Sequence, residues 1–409
     1  MAELNGINGE GATRQKYLGK SGLIVFIALL SAFIPLSTDL YLPALPSMVD
    51  YFHSTLTVVN LTLILFFLMF AGGSLIWGPL SDKFGRKPIL LAGLIIYLGA
   101  SILCWAAGTI ELLIAFRIVQ AAGASAAFAV SSAVVKDAYT GRKRETILAV
   151  VQSMVIVSPA AAPVLGAFIL QVTSWRGVFA ALSAIGVAAL IFALLYQETL
   201  LQKSTESVGK TIGKLGVVLK NKGFSALLVI FSIPSIAFMA FISMSTYIYQ
   251  DTFGLSSQLY SYFFALNAAG MFFGPMLYIL LTRRLKRHYL IIACFASMAV
   301  FGALVCLFGG AGPWQFALLL LPATLGTCIV RPGGAYLMLD QMKAEAGASS
   351  ALMGAGSSFM GIISMTIASL GWSGYVLLVG LMNVIAGVVC CILWLAVYPK
   401  PFIRKFEEQ

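Results

Sequence analysis

Apolar runs of about 20 residues recur along nearly the whole chain, and short polar segments separate them. A helix of that length crosses the hydrocarbon core of a bilayer, about 30 Å thick, and satisfies its own backbone hydrogen bonds there. The pattern therefore predicts an all-α membrane protein with twelve membrane-spanning helices. The predicted spans are residues 22–47, 56–79, 88–108, 111–136, 145–170, 176–197, 224–249, 257–282, 289–309, 313–339, 347–370 and 374–398.

The composition supports this interpretation. Of the 409 residues, 60% are apolar and 10% are charged, which gives too little polar surface for a soluble protein of this length. The first span is too long for a cleavable signal peptide, so we expect the polar residues before it to form a disordered cytoplasmic tail. All six cysteines lie within predicted spans, and neither a disulfide framework nor a metal site is expected.

The net charge of +11 is divided unevenly between the two ends of the predicted helices. With the N-terminus in the cytoplasm, 23 of the 26 lysines and arginines lie in inner segments, whereas Arg176 lies in an outer loop and Arg117 and Arg331 lie inside spans. By the positive-inside rule, this division places both termini in the cytoplasm. The basic residues then face anionic lipid, so a nucleic-acid partner is not expected.

The longest inner connection, residues 198–222, divides the chain into halves of similar length. Each half has Gly-Pro near a helix end followed by a basic turn, in the segments 78–88 and 274–287. Six spans on either side with weak internal similarity are typical of transporters built from two bundles around a central site. The alternative is twelve spans without pseudo-symmetry. The predicted organisation is a tail at 1–20, a six-helix bundle at 21–198, a linker at 199–222, a second six-helix bundle at 223–398 and a tail at 399–409.

The segment GPLSDKFGRKP, at 78–88, has the chemistry of a tight connection between two helices. Gly78 allows two helices to approach closely, and Gly85 supplies a turn conformation. Asp82 accepts hydrogen bonds near helix ends, while Arg86 lies at the inner surface. A purely topogenic role explains the basic residues but neither Asp82 nor the glycines. The segment resembles the signature between the second and third helices of the major facilitator superfamily, whose fold is two pseudo-symmetric six-helix bundles.

Further segments narrow the resemblance. STDLYLPALP, RIVQAAGASAA, SPAAAPVLGA and SWRGVF resemble the drug:proton antiporters of the bicyclomycin and chloramphenicol or florfenicol resistance type. Two departures, Ala162 before Pro163 and Ala121 after the glutamine, replace the usual glycines but keep small residues. The resemblance implies a multi-pass protein of the bacterial inner membrane that exports small hydrophobic or phenicol-type antibiotics in exchange for protons.

Asp39 is the only carboxylate well inside a predicted span. Arg117 lies at a similar depth, about 10 Å below the outer surface at about 1.5 Å per residue. A lone charge in hydrocarbon is costly, so both side chains are expected to face the bundle interior. Burial disfavours a charged carboxylate and a nearby arginine favours it, so a contact that changes during transport can load and release a proton. We hypothesise that Asp39 carries the proton and Arg117 tunes its affinity, as the resemblance implies; the alternative is a static ion pair.

Pro159, Pro163 and Gly166, in the fifth span, are spaced to make a kinked, small-residue contact with the other half. The resemblance implies that this contact seals the protein against proton leak, and the alternative is an ordinary packing seam. Asp137, at the inner end of span four, is placed to pair with Arg86 when the cytoplasmic side is closed. The alternative is that both are solvated surface charges.

Polar residues inside the spans are candidates for a substrate cavity, and they are Ser31, Thr38, Gln152, Tyr247, Asn267 and Arg331. The alternative for the first five is ordinary polar packing. Residues 332–334, Pro-Gly-Gly, are expected to break span ten locally, which leaves room for a ligand or a hinge. Arg331 then lines the cavity, or alternatively its side chain extends toward the inner face.

These features together predict a secondary transporter. The chain has no Gly-x-x-x-x-Gly-Lys-(Ser/Thr) motif for ATP, so we expect the proton gradient, and no cofactor, to supply the energy. We expect a monomer whose partners are a drug, protons and membrane lipid. The alternatives are a proton symporter that imports a metabolite, a membrane enzyme, and a receptor or channel. An enzyme is disfavoured because neither histidine lies inside a span and Asp39 stands alone.

Overall fold

The computed structural model describes residues 15–139, 141–200, 203, 208–342, 345–372 and 374–406, and the regular structure in these ranges is helical. The first half of the chain forms α1 (Gly19–Asp39), α2 (Leu45–Tyr51), α3 (Leu56–Phe84), α4 (Arg86–Ala106), α5 (Ile110–Ala138), α6 (Gly141–Val172) and α7 (Trp175–Leu195). The second half forms α8 (Val208–Leu219), α9 (Lys222–Ser232), α10 (Pro234–Tyr247), α11 (Ser257–Phe272), α12 (Gly274–Leu281), α13 (Arg287–Phe308), α14 (Pro313–Gln341), α15 (Ala346–Ala368) and α16 (Tyr375–Val397).

Eleven helical segments of the described residues are long and apolar enough to cross a membrane. The fifth predicted span falls within α6, whose described apolar segment is Ser158–Val172. The prediction of an all-α membrane protein is confirmed. Most of the predicted N-terminal tail, residues 1–14, lies outside the described residues, and α1 begins at Gly19.

Side-chain caps start four helices at one end of the molecule. Thr55, Thr109, Ser174 and Ser256 each accept a hydrogen bond from a backbone N–H in the first turn of α3, α5, α7 and α11, respectively. We call this end the capped end. The other end, which carries α8 and the segment 78–88, we call the basic end.

Three predicted spans consist of two consecutive helices. In the first span, α1 ends at Asp39 and a short 3-10 turn that contains Pro43 leads into α2. In the seventh, α10 begins at Pro234, and in the eighth, α12 begins with Gly274 and Pro275. Proline lacks a backbone N–H, so it fits the first turn of a new helix better than a helix interior. The first of these breaks places Asp39 at the C-terminal end of α1.

Span ten, by contrast, has no break, and the break predicted at residues 332–334 is wrong. Helix α14 continues through Pro332 and both glycines. A methyl group at Gly333 would lie 3.1 Å from the ring of Tyr278 in α12, and one at Gly334 would lie 2.5 Å from the ring of Phe231 in α9. The glycines therefore serve close helix packing, and the neighbouring helices hold the proline-containing segment in a helical path.

The apolar side chains form three buried clusters. One lies within the first half of the chain, between Leu23 and Tyr196, and a second lies within the second half, between Val218 and Phe406. The third, which extends from Leu40 to Met382, combines side chains of both halves near the capped end. The burial of this third cluster holds the two halves together at that end.

Candidate functional site

Hydrogen bonds also join the two halves at the capped end. Four of them are Gln258 Nε2 to the carbonyl of Ala167 (2.9 Å), Gln250 Nε2 to the carbonyl of Pro43 (3.1 Å), Tyr247 Oη to Asn60 Oδ1 (3.4 Å) and Thr57 Oγ1 to the carbonyl of Ser369. Each bond runs from one half of the chain to the other, beside the shared apolar cluster. The capped end is therefore closed.

Toward the basic end, α3 and α15 leave an apolar crevice of about 470 Å³ between them. Its wall includes Leu75 of α3, Leu228 of α9 and Phe359 of α15. Gly72 lies on the same wall, and a methyl group there would meet no atom within 4 Å. The crevice has a volume typical of small-molecule pockets, about 300–1,000 Å³. The halves are thus joined by hydrogen bonds at the capped end, and toward the basic end they leave this crevice between α3 and α15.

Asp39 is the last residue of α1, directly before the residues from Leu40 onward that join the apolar cluster shared by both halves. Its side chain is 4% exposed, and the Thr38 hydroxyl donates a hydrogen bond of 2.9 Å to its Oδ1. It lies four residues before Pro43, whose carbonyl accepts a hydrogen bond from Gln250 of the other half. A carboxyl group at this position changes its surroundings whenever the two halves move apart at the capped end.

Arg117 is fully buried inside the first half, and its environment is mainly aromatic. The guanidinium carbon lies 4.3 Å from the ring centroid of Phe66, 5.0 Å from that of Tyr41 and 5.9 Å from that of Phe179. Such rings attract a cation through their negative faces. Within the described residues, Nε and Nη2 of Arg117 have no hydrogen-bond partner.

The hydrogen bonds of Arg117 go to neutral groups. Its Nη1 donates to the backbone carbonyl of Ser37 (3.0 Å) and to Oε1 of Gln120 (2.7 Å). The static ion pair with Asp39 is not what the structure shows: among the described residues, the hydrogen bond of the Asp39 side chain is with Thr38. Arg117 nevertheless binds the backbone close to Asp39, because its partner, the carbonyl of Ser37, lies two residues before Asp39 in the sequence.

A polar network that sequence reasoning missed continues from Arg117 into α4. Gln120 Nε2 donates to Ser101 Oγ at 2.7 Å, and Tyr97 Oη is 2.7 Å from Ser37 Oγ. The network therefore links α4 and α5 to α1 at Ser37, two residues before Asp39. Only Gln120 had a sequence signal, since it lies three residues after Arg117 and thus on the same face of the helix.

The segment 78–88 forms a connection with a paired arginine at its centre. Arg86 Nε donates to Asp137 Oδ2 at 2.7 Å, and its Nη1 donates to Asp82 Oδ1 at 2.5 Å. Gly85 has a φ of 111°, so its predicted turn role is confirmed. The predicted Arg86–Asp137 pair is also present. It joins α4 and α5 within the first half, in a structure whose capped end is closed.

Two predicted glycine contacts differ from the structure. A methyl group at Gly78 would meet no atom within 4 Å, so the close helix contact predicted there is wrong; the described residues leave open space on that face of α3. A methyl group at Gly166 would overlap the backbone carbonyl of Leu40. Gly166 thus packs α6 against the end of α1 in its own half, whereas the prediction placed this contact on the other half. Pro159 and Pro163 lie within α6, which continues through both.

Comparison with known proteins identifies this architecture. A model of the Major Facilitator Superfamily matches residues 27–365, which is most of the chain. The chain belongs to the Major Facilitator Superfamily. The family resemblance seen in the sequence is confirmed.

Individual proteins of the superfamily are similar to this chain over different lengths. An uncharacterized MFS-type transporter of Bacillus subtilis, YdgK, is 28% identical over 81% of this chain and 84% of its own length. A chloramphenicol resistance protein of Pseudomonas aeruginosa is 32% identical over 61% of this chain, and the match spans 60% of that protein. Among solved structures, the xylose transporter XylE of E. coli superposes with a TM-score of 0.72 at 13% identity, over 94% of this chain and 99% of that one.

These similarities establish the fold and the general activity of this superfamily member. It is a multi-pass membrane transporter and not an enzyme. The likeness to XylE, at 13% identity, concerns the fold alone.

The predicted cavity residues of this superfamily member are not gathered into one cluster. Ser31 bonds Ser131 at 3.1 Å, Thr38 bonds Asp39, Tyr247 bonds Asn60 across the halves, and Asn267 bonds Thr324 at 3.2 Å. The side chain of Gln152 lies outside the described residues. Arg331 is exposed, and its guanidinium carbon is 5.7 Å from the ring centroid of Phe238.

Proposed function

We propose that this transporter exports small, largely apolar drugs in exchange for protons, by alternating access between two six-helix bundles. The observation that carries the proposal is the position of Asp39. It is a carboxyl group inside the membrane-spanning region, buried four residues before Pro43, whose carbonyl accepts a hydrogen bond from Gln250 of the opposite bundle. The similarity to a chloramphenicol resistance protein supports the drug part of the proposal.

The charge distribution supports the orientation. Lysines and arginines are concentrated at the basic end, so by the positive-inside rule this end is proposed to face the cytoplasm, in a bacterial inner membrane. The closed, capped end then faces outward, and the crevice between α3 and α15 lies toward the cytoplasmic side. In this state the transporter is ready to take up a drug from the cytoplasm or the inner leaflet.

The coupling follows from the cost of burying a charge. A neutral carboxyl group is tolerated at the closed boundary far better than an ionised one. Protonation of Asp39 from outside therefore favours closure of the capped end, and loss of that proton toward the cytoplasm favours its reopening. Arg117, bound to the carbonyl of Ser37, supplies positive potential near the ionised form.

The polar groups around Asp39 suit the release step. Thr38 already holds one carboxyl oxygen, and Ser37 connects the same turn of α1 to Tyr97.

Exchange of one proton across about 100 mV supplies about 2.3 kcal/mol, enough to sustain a drug ratio of about 40-fold. The chain needs no cofactor for this cycle, and one copy of the two-bundle unit suffices.

The proposal is tested by the direction of proton movement. In proteoliposomes loaded with acid, with the basic end of the protein facing outward, chloramphenicol should accumulate and the lumen should become more alkaline. A protonophore should remove the accumulation. If the drug instead moves in the same direction as the proton, the protein is a symporter, and if it only equilibrates, the protein is a channel or facilitator.

A further inference from the structure

Arg331 is a cation deep within a membrane-spanning helix that the proposed coupling mechanism does not use. It lies ten residues before the end of α14, or roughly 15 Å along the helix from the basic end. Its side chain is exposed, and among the described residues it has neither a hydrogen bond nor an ion pair. A charge at this depth without a protein partner needs water or a ligand beside it.

The packing of α14 shows which way Arg331 faces. Thr324 lies two helical turns earlier on the same face, and it accepts a hydrogen bond from Asn267 of α11 at 3.2 Å. The guanidinium of Arg331 lies 5.7 Å from the ring centroid of Phe238 in α10. Helices α10 and α11 both lead into the segments that meet the first bundle at the capped end. This face of α14 is therefore turned toward α10 and α11.

Few ionisable residues lie deep in the membrane-spanning region, and none of them is a carboxylate close to Arg331 in the sequence. Apart from Arg331, the deep ionisable residues are Arg117, which is buried among aromatic rings, and Asp39, which lies at the closed end. Carboxylates of the second half, such as Asp251 and Asp340, lie near helix ends. Among the described residues, Arg331 therefore has no carboxylate paired with it.

We propose that Arg331 forms a charge-selective subsite, which accepts neutral or anionic aromatic compounds and rejects organic cations. The guanidinium donates hydrogen bonds to an oxygen acceptor of the substrate, while Phe238 packs against an aromatic ring. A like charge about 8 Å from Arg331, at an effective dielectric constant of about 20, would weaken binding about 30-fold. This inference rests on the proposed export function in taking the ligand to be a transported drug.

The test uses two probes of the same shape and opposite charge, tetraphenylborate and tetraphenylphosphonium. Their binding to the purified full-length protein is measured by titration calorimetry, and the ratio of the two affinities is compared between variants. In Arg331→Gln and in Arg331→Met the preference for the anion should fall at least about tenfold. Arg331→Lys should keep it within about threefold, and Arg331→Glu should shift the preference toward the cation.

The matched control is Arg284→Gln, an exposed arginine in the loop of the basic end, which should leave the ratio unchanged. An unchanged ratio in both neutral variants of Arg331 would overturn the inference, because Arg331 would then extend toward the headgroups. The proposed function is assessed separately. If the wild-type protein does not couple chloramphenicol to protons, the proposed export function is wrong. The charge selectivity of Arg331 is still decided by the relative affinities for the two tetraphenyl ions.

Discussion

Replacement of Asp39 by asparagine is expected to abolish drug accumulation driven by a proton gradient and to leave downhill drug exchange in place. Asparagine has nearly the shape of the protonated acid and can still accept the Thr38 hydroxyl, but it has no proton to release. The drug ratio should fall from as much as about 40 to about 1. The measurement is chloramphenicol accumulation in proteoliposomes under an imposed pH gradient, paired with counterflow without a gradient.

Two variants make the Asp39 result specific. Asp50→Asn removes an exposed carboxylate at the capped end and should accumulate drug like the wild type. Asp39→Glu keeps a titratable group and should retain part of the accumulation. If Asp39→Asn still concentrates the drug with the wild-type dependence on pH, another group carries the proton.

Gly166→Ala is expected to have the second-largest effect. The added methyl group would overlap the backbone carbonyl of Leu40, which directly follows Asp39. Backbone cannot yield as a flexible side chain can, so α1 and α6 must separate at the point where the carboxyl group is buried. We expect a loss of stability of about 1–3 kcal/mol, typical of overpacking. Transport should fall at least about tenfold, because closure around Asp39 becomes incomplete.

The control for this substitution is Gly99→Ala in α4, where an added methyl group meets no atom within 4 Å. Thermal unfolding in detergent and transport in proteoliposomes are measured on both proteins. Gly99→Ala should transport like the wild type and unfold at the same or a slightly higher temperature, because alanine favours a helix more than glycine does. Equal transport by the two variants would mean that the contact between α6 and the end of α1 does not matter for the cycle.

The hydrophobic pattern predicted the membrane helices well because length and polarity alone determine whether a segment suits a bilayer. The third span, predicted at 88–108, is α4 at Arg86–Ala106. The pattern did not predict where spans divide into two helices. Pro234 begins a new helix, whereas Pro332 lies within a continuous one. The difference depends on how neighbouring helices pack around each proline, and a single sequence does not contain that information.

In the candidate site, too, some features could be predicted from the sequence and others could not. The sequence predicted that Asp39 and Arg117 face the bundle interior, and both side chains are buried, but it did not show which groups each of them contacts. A helix rotated by one residue turns a side chain by about 100°, and this decides whether Arg117 meets a carboxylate or aromatic rings. The pairing of Arg86 with Asp137 was easier to predict, because both lie at helix ends of the same face of the molecule.

The account depends on Asp39 giving up a proton when the drug binds, and proton release on binding tests this most directly. Saturating chloramphenicol is added to the purified protein in weakly buffered solution with a pH indicator. Because drug and proton oppose each other's binding, the wild type is predicted to release up to about one proton per drug, and Asp39→Asn to release none while still binding. Equal release from both proteins, or drug binding by the wild type without any release, would contradict the account.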